Sequence, residues 1–387
     1  MVQGLVIDTE ERALLRDSVA KIAEKYGAAY FLERSREGRK VDELWAELGA
    51  AGMLGVHLPE EYGGGGAGLA ELAVVIDELA AHGIPLLLTV ISPAICGSIV
   101  AAHGSPQMKR QWLPKLADGT AKMAFCLTEP DSGSNSHAVK TTARRDGEDW
   151  IISGGKYFIS AADEADALLV ITRAGDLDDS KRNPLSMFVV PSDAPGVVRQ
   201  PLDTAVVSPD HQFTLFFDEV RVGPEALIGE HGSGLRQVFA GLNPERILAA
   251  AISSGIGRYA IDKAVRYAKD RRVWSVPIGA HQGVSHPLAE CHIAVELARL
   301  SMYRAAEIFD DGENAAAAAN IAKFAAAEAS LKALDQAIQT HGGNGLSKEY
   351  GLAEMWFVAR LMRTAPVSRE MVLNFVAQTV LGLPASY

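Results

Sequence analysis

Residues 123–136 read MAFCLTEPDSGSNS, and at this stretch the chain changes from helical spacing to strand-like runs. Before it, Leu15, Val19 and Ile22 recur at the spacing of one helix face. Within it, the apolar run Met123–Leu127 is followed by nine residues of hydroxyls, turn formers and backbone donors. We interpret the segment as a strand followed by a loop that could hold a phosphate or a heterocycle edge. An ordinary Asx- or Ser-rich turn is the alternative.

The part of the chain before this stretch is predicted to be helical. Asp8-Thr9-Glu10-Glu11 fits a capping box that begins the first helix. The loop Gly63–Gly66 is too rich in glycine for a regular element. Further helices are predicted at Val41–Ala51, Leu69–His82, Pro85–His103 and Ser105–Ala117. Together they predict an N-terminal α-helical domain over residues 1–121.

The middle of the chain is predicted to form a β domain over residues 122–231. Thr141–Arg145 and Trp150–Ser153 flank Asp146-Gly147-Glu148, a hairpin signature, and Gly154-Gly155 predicts a turn into the next strand. Further strands are predicted at Lys156–Ser160, Ala167–Arg173, Leu185–Val190, Val197–Gln200 and Phe213–Val222. Roughly six to eight strands of this kind are typical of a β-barrel or β-sandwich.

Helical spacing returns after Gly232 and predicts a C-terminal α-helical bundle over residues 232–387. Its helices are predicted at Ile247–Arg271, His286–Phe309, Asn314–His341, Lys348–Leu361 and Ser368–Leu381. The order of helices, then strands, then helices predicts an α+β multidomain fold.

Composition excludes several classes of function. The chain has 387 residues, of which 48% are hydrophobic, and this length fits two or three domains. Its net charge of −11 argues against a nucleic-acid surface or a basic membrane patch. Cys96, Cys126 and Cys291 have neither disulfide nor zinc spacing. Because the sequence also lacks a signal pattern and an apolar run of membrane length, we expect a cytoplasmic protein.

One acidic residue lies between two apolar segments, in the stretch Gly241-Leu242-Asn243-Pro244-Glu245-Arg246. Asn243 is a favoured N-cap and Pro244 suits the first helical position, so a helix is predicted to begin here. Glu245 would then lie in the first turn and stabilise its own helix start through the helix dipole. The local sequence favours this structural role, and the rest of the chain must decide whether Glu245 also has a chemical one.

Two further segments combine polar side chains with helix ends. Arg271 and Trp274 follow a long helix, and a basic helix end either complements the dipole or binds an anion. Gln339 precedes Gly342-Gly343, which is typical of a helix C-cap and could also expose backbone to a ligand. The histidines form no metal-ligand pattern, so no metal site is predicted. No Gly-x-Gly-x-x-Gly follows a strand, which argues against a Rossmann site.

These motifs occur together and in an order that resembles the acyl-CoA dehydrogenase family. The motifs are Thr128-Glu129-Pro130 with Gly133-Ser134, Lys156-Tyr157-Phe158-Ile159-Ser160, Arg271 with Trp274 and Gln282, and Gln339 with Gly342-Gly343-Asn344-Gly345. The resemblance covers almost the whole chain and implies the family's fold, with a helical domain, a middle β domain and a C-terminal four-helix bundle. It also implies an FAD-dependent oxidoreductase of fatty acid metabolism that oxidises an acyl-CoA to the trans-2-enoyl-CoA. An electron-transfer flavoprotein would be its electron acceptor.

The resemblance implies which residues hold FAD. Leu127 and Thr128 would lie against the flavin ring, and Phe158 would cover one face where the family usually has Trp. Ser160 would bring its hydroxyl near the flavin N5, in place of the usual Thr. The remaining FAD-binding residues implied on the same grounds are Phe125, Gly133 and Ser134, of which Ser134 would touch the pyrophosphate and also the substrate.

Other implied FAD contacts come from a neighbouring subunit, so the resemblance also implies a homotetramer. They are Arg271, Trp274, Gln282, Gln339, Gly342 and Gly343. Ser368 falls where the family's Thr contacts FAD.

The catalytic base is implied at an unusual position. Most members carry it near the C-terminus, at the position of Pro366 here, and proline cannot accept a proton. The branch that includes isovaleryl-CoA and long-chain dehydrogenases places a Glu directly before the arginine of a helix. Glu245 has that position before Arg246, so the resemblance implies Glu245 as the base, with Asn243 and Arg246 along the substrate path.

Two other functions fit the same resemblance. A chain without a base at Pro366 could be a non-catalytic structural subunit of a heterotetramer, with Glu245 as a helix-start acid. A flavin oxidase or monooxygenase on the same fold is the third candidate, and it would react rapidly with oxygen. The sequence leaves open the acyl chain and its carrier, CoA or an acyl-carrier protein.

Overall fold

The computed structural model describes residues 5–6, 8–174 and 184–385 of the chain. Its helices precede and follow a single sheet, in the order expected from the sequence. The N-terminal helices are α1 Glu10–Arg36, α2 Asp42–Ala50, α3 Leu69–Ala81, a π-helix at Val90–Gly97, α4 Ser98–His103 and α5 Pro106–Ala117. None of the helices in the described ranges has the length and apolar character needed to cross a membrane.

The first helix begins one residue later than the predicted capping box, because Thr9 rather than Asp8 is the N-cap and Arg12 rather than Glu11 is the third helical residue. The Thr9 side chain accepts a hydrogen bond from the Arg12 N–H at 3.2 Å, and Ser105 caps α5 in the same way, with Pro106 at the first position. Gly27 interrupts α1 with a φ of 68°, a left-handed conformation that glycine adopts without steric cost.

The helix predicted at Pro85–His103 is a shorter π-helix followed by α4. Pro93 lies inside the π-helix, and its missing N–H prevents a normal hydrogen-bond ladder at that point. Ser92 on the same turn accepts a hydrogen bond from the Met123 N–H at 2.9 Å. The π-helix is therefore attached to the first strand of the sheet.

The middle region forms one eight-stranded sheet within the described residues. Its strands are β1 Met123–Cys126, β2 Thr142–Asp146, β3 Asp149–Ser160, β4 Ala167–Ala174, β5 Leu185–Pro191, β6 Val197–Leu202, β7 Gln212–Val222 and β8 Leu227–Ile228. They pair in the order β6-β7-β3-β2-β4-β5-β8, with β1 parallel to β4. Alternate side chains, among them Trp150, Phe188 and Leu215, enclose a core of the sheet's own. Side chains on the opposite face join the core of the helical regions.

The turn predicted at Gly154-Gly155 is wrong, because β3 continues through both glycines to Ser160. The register with β7 shifts between Ile152 and Gly154, which is a β-bulge. Gly154 has a φ of 144°, and a Cβ built on it would lie 2.6 Å from the Cα of Thr141. The glycine therefore permits a bulge and a close backbone approach rather than a chain reversal.

The C-terminal helices are α6 Gly234–Asp270, α7 Gln282–Asp310, α8 Ala316–His341, α9 Leu352–Thr364 and α10 Arg369–Phe375, which runs into a π-helix at Val376–Val380. Helices α6, α7 and α8 pack against one another, and α9 packs on α8. Buried alanines such as Ala260, Ala298 and Ala326 allow the close approach.

The helix predicted to begin at Asn243 is longer than expected, since α6 begins at Gly234 and continues through Pro244. Pro244 removes one backbone donor, but its apolar neighbours are buried on both sides, and packing outweighs the loss of one hydrogen bond. Asn243 is therefore not an N-cap. Glu245 lies in the helix interior, three turns from its start.

A buried ionic cluster ties the N-terminal helices to the bundle. Asp77 of α3 is fully buried and accepts from Arg16 of α1, Arg258 of α6 and Arg299 of α7. The three arginines lower the pKa of Asp77 although its burial acts in the opposite direction. The cluster fixes α6 relative to α3, and hence the position of the Glu245 segment.

Candidate functional site

The end of β1 and the end of β3 meet, as the motifs imply. The Tyr157 N–H donates to the Thr128 carbonyl at 2.8 Å, so the two segments run side by side. The Lys156 ammonium donates to the Leu127 carbonyl at 3.1 Å and lies 2.8 Å from Oε1 of Glu129. The structure thus brings the predicted flavin contacts of β1 and β3 together.

Glu129 organises the loop that follows β1. Its carboxylate accepts from the N–H groups of Lys140 at 2.6 Å and Thr141 at 3.0 Å, which closes the loop at its far end. Burial raises the pKa of Glu129, but Lys156 and these donors outweigh it and keep the pKa low. Inside the closed loop, Gly133 and Ser134 are exposed, as an anion-binding role requires.

Phe158 and Ser160 have the features of a site for a planar heterocycle. Phe158 has a φ of 56°, which is uncommon for a bulky residue, and its side chain is 53% exposed. Ser160 forms a hydrogen bond with Gln212, whose Nε2 lies 2.8 Å from the serine Oγ. The strained backbone at Phe158 holds an exposed aromatic ring beside the hydrogen-bonded hydroxyl of Ser160. This arrangement fits the isoalloxazine ring of FAD.

The π-helix packs against α6, which carries Glu245, and against β1. A Cβ built on Gly241 would lie 2.9 Å from Cγ2 of Ile95, so α6 touches the π-helix one turn before Glu245. Burial, together with the nearby charges of Cys126 and Glu245, raises the pKa of the Cys96 thiol. The π-helix that carries Cys96 contacts both β1, which ends at Cys126, and α6, which carries Glu245.

Glu245 has the environment of a general base. Its side chain is partly buried, and within the described residues its carboxylate forms no hydrogen bond or ion pair. Burial raises the pKa of Glu245 to about 7, while the charges of Arg246 and Lys323 act to lower it. Because Glu245 lies inside α6, the helix dipole makes no large contribution, unlike in the helix-start interpretation.

Asn243 and Arg246 form a donor group beside Glu245. Nη1 of Arg246 donates to Oδ1 of Asn243 at 3.1 Å and to the Leu242 carbonyl at 3.2 Å. Nε of Arg246 is buried and has no hydrogen-bond partner in the part of the chain that the structure describes. An unpaired buried N–H is unfavourable, so this donor is available to a polar group of a bound molecule.

The residues predicted after α6 lie apart from this group. Arg271, Trp274 and Gln282 are exposed, and no hydrogen bond or ring contact in the described ranges joins them to β1, β3 or Glu245. The Arg271 carbonyl accepts from the Ile278 N–H at 2.9 Å, which closes a loop that presents Trp274 with 78% of its surface exposed. An exposed indole of this kind is typical of an interaction surface.

Gln339, Gly342 and Gly343 form a third group at the end of α8. Gly342 has a φ of 60°, and a Cβ built on either glycine would meet no atom within 4 Å. Beneath the loop, the rings of His341 and Tyr267 stack with centroids 4.2 Å apart. The backbone of Gly342 and Gly343, next to the stacked rings of His341 and Tyr267, therefore has space beside it for a ligand.

Ser368 and Pro366 lie in the connection between α9 and α10. The Ser368 side chain accepts from the Met371 N–H at 3.2 Å and caps α10, so its hydroxyl has a structural role. Its O–H proton is still free to be donated. Pro366 is partly buried and lacks any group that could take a proton.

Three residues near the candidate site were not predicted from the sequence. Lys156 is predicted only as part of a strand, Gln212 lies one residue before the predicted strand Phe213–Val222, and Lys323 lies in the predicted alanine-rich helix Asn314–His341 without an assigned role. Lys323 offered the clearest signal, since it falls on the face of α8 that buries Ala319, Ala326 and Ser330. In the described residues no group of three or more His, Cys, Asp or Glu side chains could hold a metal ion.

Comparison with known proteins gives a consistent result over the whole chain. The family models for the acyl-CoA dehydrogenase N-terminal, middle and C-terminal domains match residues 9–120, 124–220 and 232–381. The chain is 57% identical over 389 aligned residues to the acyl-CoA dehydrogenase fadE12 of Mycobacterium tuberculosis strain CDC 1551, with 100% of both chains covered.

Solved structures share the fold. The glutaryl-coenzyme A dehydrogenase in complex with glutaryl-CoA superimposes with a TM-score of 0.93 at 29% identity, covering 98% of this chain and 97% of that one. The glutaryl-CoA dehydrogenase from Mycobacterium smegmatis in complex with FADH2 has a TM-score of 0.91 at 24% identity, with coverage of 98% and 97%.

Proposed function

The chain belongs to the acyl-CoA dehydrogenase family, and from this premise we propose that Glu245 is the base that removes the α-proton of the acyl thioester. Membership of the family confirms the three-part fold, the oxidoreductase class and FAD as the cofactor. The observation that carries the proposal is a partly buried carboxylate that has no hydrogen bond or ion pair with any described residue, on a helix that packs against the π-helix next to β1.

FAD would be held by the residues that the motifs supply. We propose contacts from Phe125, Leu127, Thr128, Gly133, Ser134, Phe158 and Ser160 of one subunit. We further propose contacts from Arg271, Trp274, Gln282, Gln339, Gly342, Gly343 and Ser368, of which all but Ser368 would reach the cofactor of a neighbouring subunit. When bound, FAD supplies the acceptor for the hydride that leaves the β-carbon of the substrate.

The chain's own chemistry is the proton transfer. Glu245 takes the α-proton as the β-hydride leaves, so that the α,β double bond of the trans-2-enoyl-CoA forms. A base works best with a pKa near the working pH, and burial raises the pKa of Glu245 to about 7. The nearby positive charges stop the pKa from rising further, which keeps a large fraction of Glu245 ionised at neutral pH.

Substrate binding is proposed for Asn243, Arg246 and Ser134. Nε of Arg246 is the unpaired donor nearest to the base in sequence, and Asn243 fixes the guanidinium at Nη1. A guanidinium held in this way can orient a carbonyl or a phosphate of an acyl-CoA.

We also propose the wider setting of the reaction. The electrons would pass to an electron-transfer flavoprotein. The enzyme would be a homotetramer, since the side chains of Arg271 and Trp274 are exposed and, among the described residues, form no hydrogen bond or ring contact within their own subunit. Cys96, Cys126 and Cys291 are buried free thiols, which fits the reducing cytoplasm.

The proposal is tested by anaerobic titration of the FAD-loaded protein with a panel of acyl-CoAs, following the loss of flavin absorbance. We expect the wild type to be reduced by at least one acyl-CoA. Glu245→Gln should bind FAD and the same acyl-CoA but should not be reduced. The matched control is Glu290→Gln, an exposed glutamate of α7 that should behave as wild type.

Other outcomes assign other functions. Fast reduction of Glu245→Gln would exclude Glu245 as the base. A wild type that binds FAD but is reduced only with a second, related chain would be a structural subunit. Rapid reaction of the reduced flavin with oxygen would indicate an oxidase or monooxygenase.

A further inference from the structure

Lys323 is a buried cation in the bundle next to the proposed base. It lies on α8, only 2% exposed, in a helix whose other buried side chains are mostly alanine. Its ammonium donates to the carbonyls of Val367 and, at 3.5 Å, Arg363. These two carbonyls flank the connection between α9 and α10, which carries Pro366. Lys323 therefore anchors the segment where most members of the family carry the base.

The packing of the bundle directs Lys323 toward Glu245. A Cβ built on Gly257 of α6 would lie 3.7 Å from the Cα of Ser330 of α8, so these positions face each other. Further along both helices, the rings of Tyr267 on α6 and His341 on α8 stack with centroids 4.2 Å apart, so α6 and α8 run in the same direction. Two turns back from Ser330 is Lys323, and two turns back from Gly257 is Ala250, between one and two turns after Glu245 on α6.

The charge of Lys323 is not cancelled by a neighbouring carboxylate. In the described parts of the chain no acidic side chain lies within ion-pair distance of its ammonium. The charged groups around it are Glu245 and Arg246 from α6, Glu328 from α8 and Glu370 from α10. Glu328 is engaged by Arg363 at 2.8 Å and by Arg369 at 3.0 Å, and Arg369 also approaches Glu370. Of these three acids, Glu245 is the one that has no hydrogen bond or ion pair with any residue that the structure describes.

We propose that Lys323 is a positioning residue that anchors the α9–α10 connection and holds a positive charge beside Glu245, so that Glu245 can lose its proton in a buried site. The inference rests on the proposed role of Glu245. Burial and the charge of Arg246 lower the pKa of Lys323 to about 8, so the side chain is protonated at neutral pH. The positive charge lowers the free energy of the Glu245 carboxylate relative to its acid form.

The test compares the pH dependence of flavin reduction in the FAD-loaded wild type with that in Lys323→Met, Lys323→Gln and Lys323→Arg. The base must be ionised, so the rate falls as the pH drops below its pKa. Loss of the positive charge should move this fall to higher pH by about one unit. At pH 6 the Met and Gln variants should therefore react about tenfold more slowly, and at pH 9 at the wild-type rate.

Two variants separate charge from anchoring. Lys323→Arg keeps the charge and should keep the wild-type profile. Lys323→Gln keeps a donor for the carbonyls of Arg363 and Val367 but removes the charge. It replaces the Met variant in the test if that variant does not fold. Lys332→Met is the matched control, because Lys332 lies on the same helix but is exposed and pairs with Glu290.

A second readout does not depend on turnover. The infrared carbonyl band of protonated Glu245, identified by its absence from Glu245→Gln, should disappear at higher pH in Lys323→Gln than in wild type. Equal profiles and equal infrared titrations for wild type and Lys323→Gln would overturn the inference, as would a loss of rate that is the same at every pH. Failure of the proposed function is distinguishable, because Glu245→Gln would then still be reduced.

Discussion

The Lys156 ammonium lies 2.8 Å from Oε1 of Glu129, in an ion pair whose two side chains are 0% and 5% exposed. Lys156 also donates to the Leu127 carbonyl, and Glu129 accepts from two backbone N–H groups across the loop. One buried pair therefore sets the relative positions of the end of β1, the loop after it and the end of β3. These are the three segments proposed to line the flavin.

Replacing Lys156 with Met should destabilise the protein by about 3–5 kcal/mol, because it leaves the Glu129 carboxylate buried without its cation. The affinity of the variant for FAD should decrease together with its stability. Chemical denaturation and flavin fluorescence measure the two effects. Lys140→Met is the control, since Lys140 pairs with Asp131 at an exposed site and should cost less than about 1 kcal/mol. Equal losses for the two variants would contradict a special role for the buried pair.

The rate of flavin reduction should depend on pH with a midpoint near 7. Glu245 acts as a base only when ionised, and burial raises its pKa to about 7. Below the midpoint the rate constant should fall about tenfold per pH unit, and above it the rate should level off. Anaerobic stopped-flow reduction measures this directly. A rate that stays level from pH 5 to 8 would be incompatible with Glu245 as the base.

Glu245→Gln should stabilise the protein at high pH and not at low pH. The pKa of Glu245 is raised in the folded state, so the folded state binds its proton more tightly than the unfolded state does. The ionised side chain is therefore unfavourable to folding, and this penalty grows as the pH rises from about 4.5 to about 7. Above pH 7 the variant should gain about 1–3 kcal/mol.

Thermal unfolding of the FAD-loaded wild type and Glu245→Gln at pH 5 and pH 8 checks this prediction. Glu290→Gln again serves as the control, because that side chain is exposed and Lys332 lowers its pKa, so its replacement should give no stabilisation at high pH. A variant that is less stable than wild type at pH 8 would show that Glu245 has a partner in the resting enzyme.

Gly241→Ala should displace the turn of α6 that precedes Glu245. The added methyl group would lie 2.9 Å from side-chain atoms of Ile95 and Ile99 and 3.0 Å from the Ile95 carbonyl, and the last of these is backbone and cannot move aside. We expect a loss of about 1–3 kcal/mol and slower flavin reduction. Gly283→Ala on α7 meets no atom within 4 Å and should change stability by less than about 0.5 kcal/mol. Similar stabilities for both variants would contradict a tight contact at Gly241.

Local sequence determined those parts of the fold whose signals are short-range. The helix start at Ser105, the hairpin turn at Asp146-Gly147-Glu148 and the helix end at Gly342 all lie where their residue types predict them, and the cap of α1 lies one residue from its predicted position. Each of these depends on hydrogen bonds or steric limits within about four residues, which the sequence states directly.

The same kind of signal failed where packing decides. Asn243-Pro244 has the local chemistry of a helix start, yet α6 passes through it because buried neighbours on both sides hold the helix. Gly154-Gly155 has the chemistry of a turn, yet the bulge pairs with β7 and approaches Thr141. In both cases long-range contacts outweigh a preference of about 1–3 kcal/mol.

The sequence by itself determined the set of motifs, the family resemblance and the candidate Glu245. Only the tertiary structure decided its surroundings. Cys96 and Lys323 are far from Glu245 in sequence, and they lie near it because the π-helix packs on α6 and because α8 lies along α6. A carboxyl's proton affinity depends on burial and on charges within a few ångströms, and the order of residues along the chain does not contain those distances.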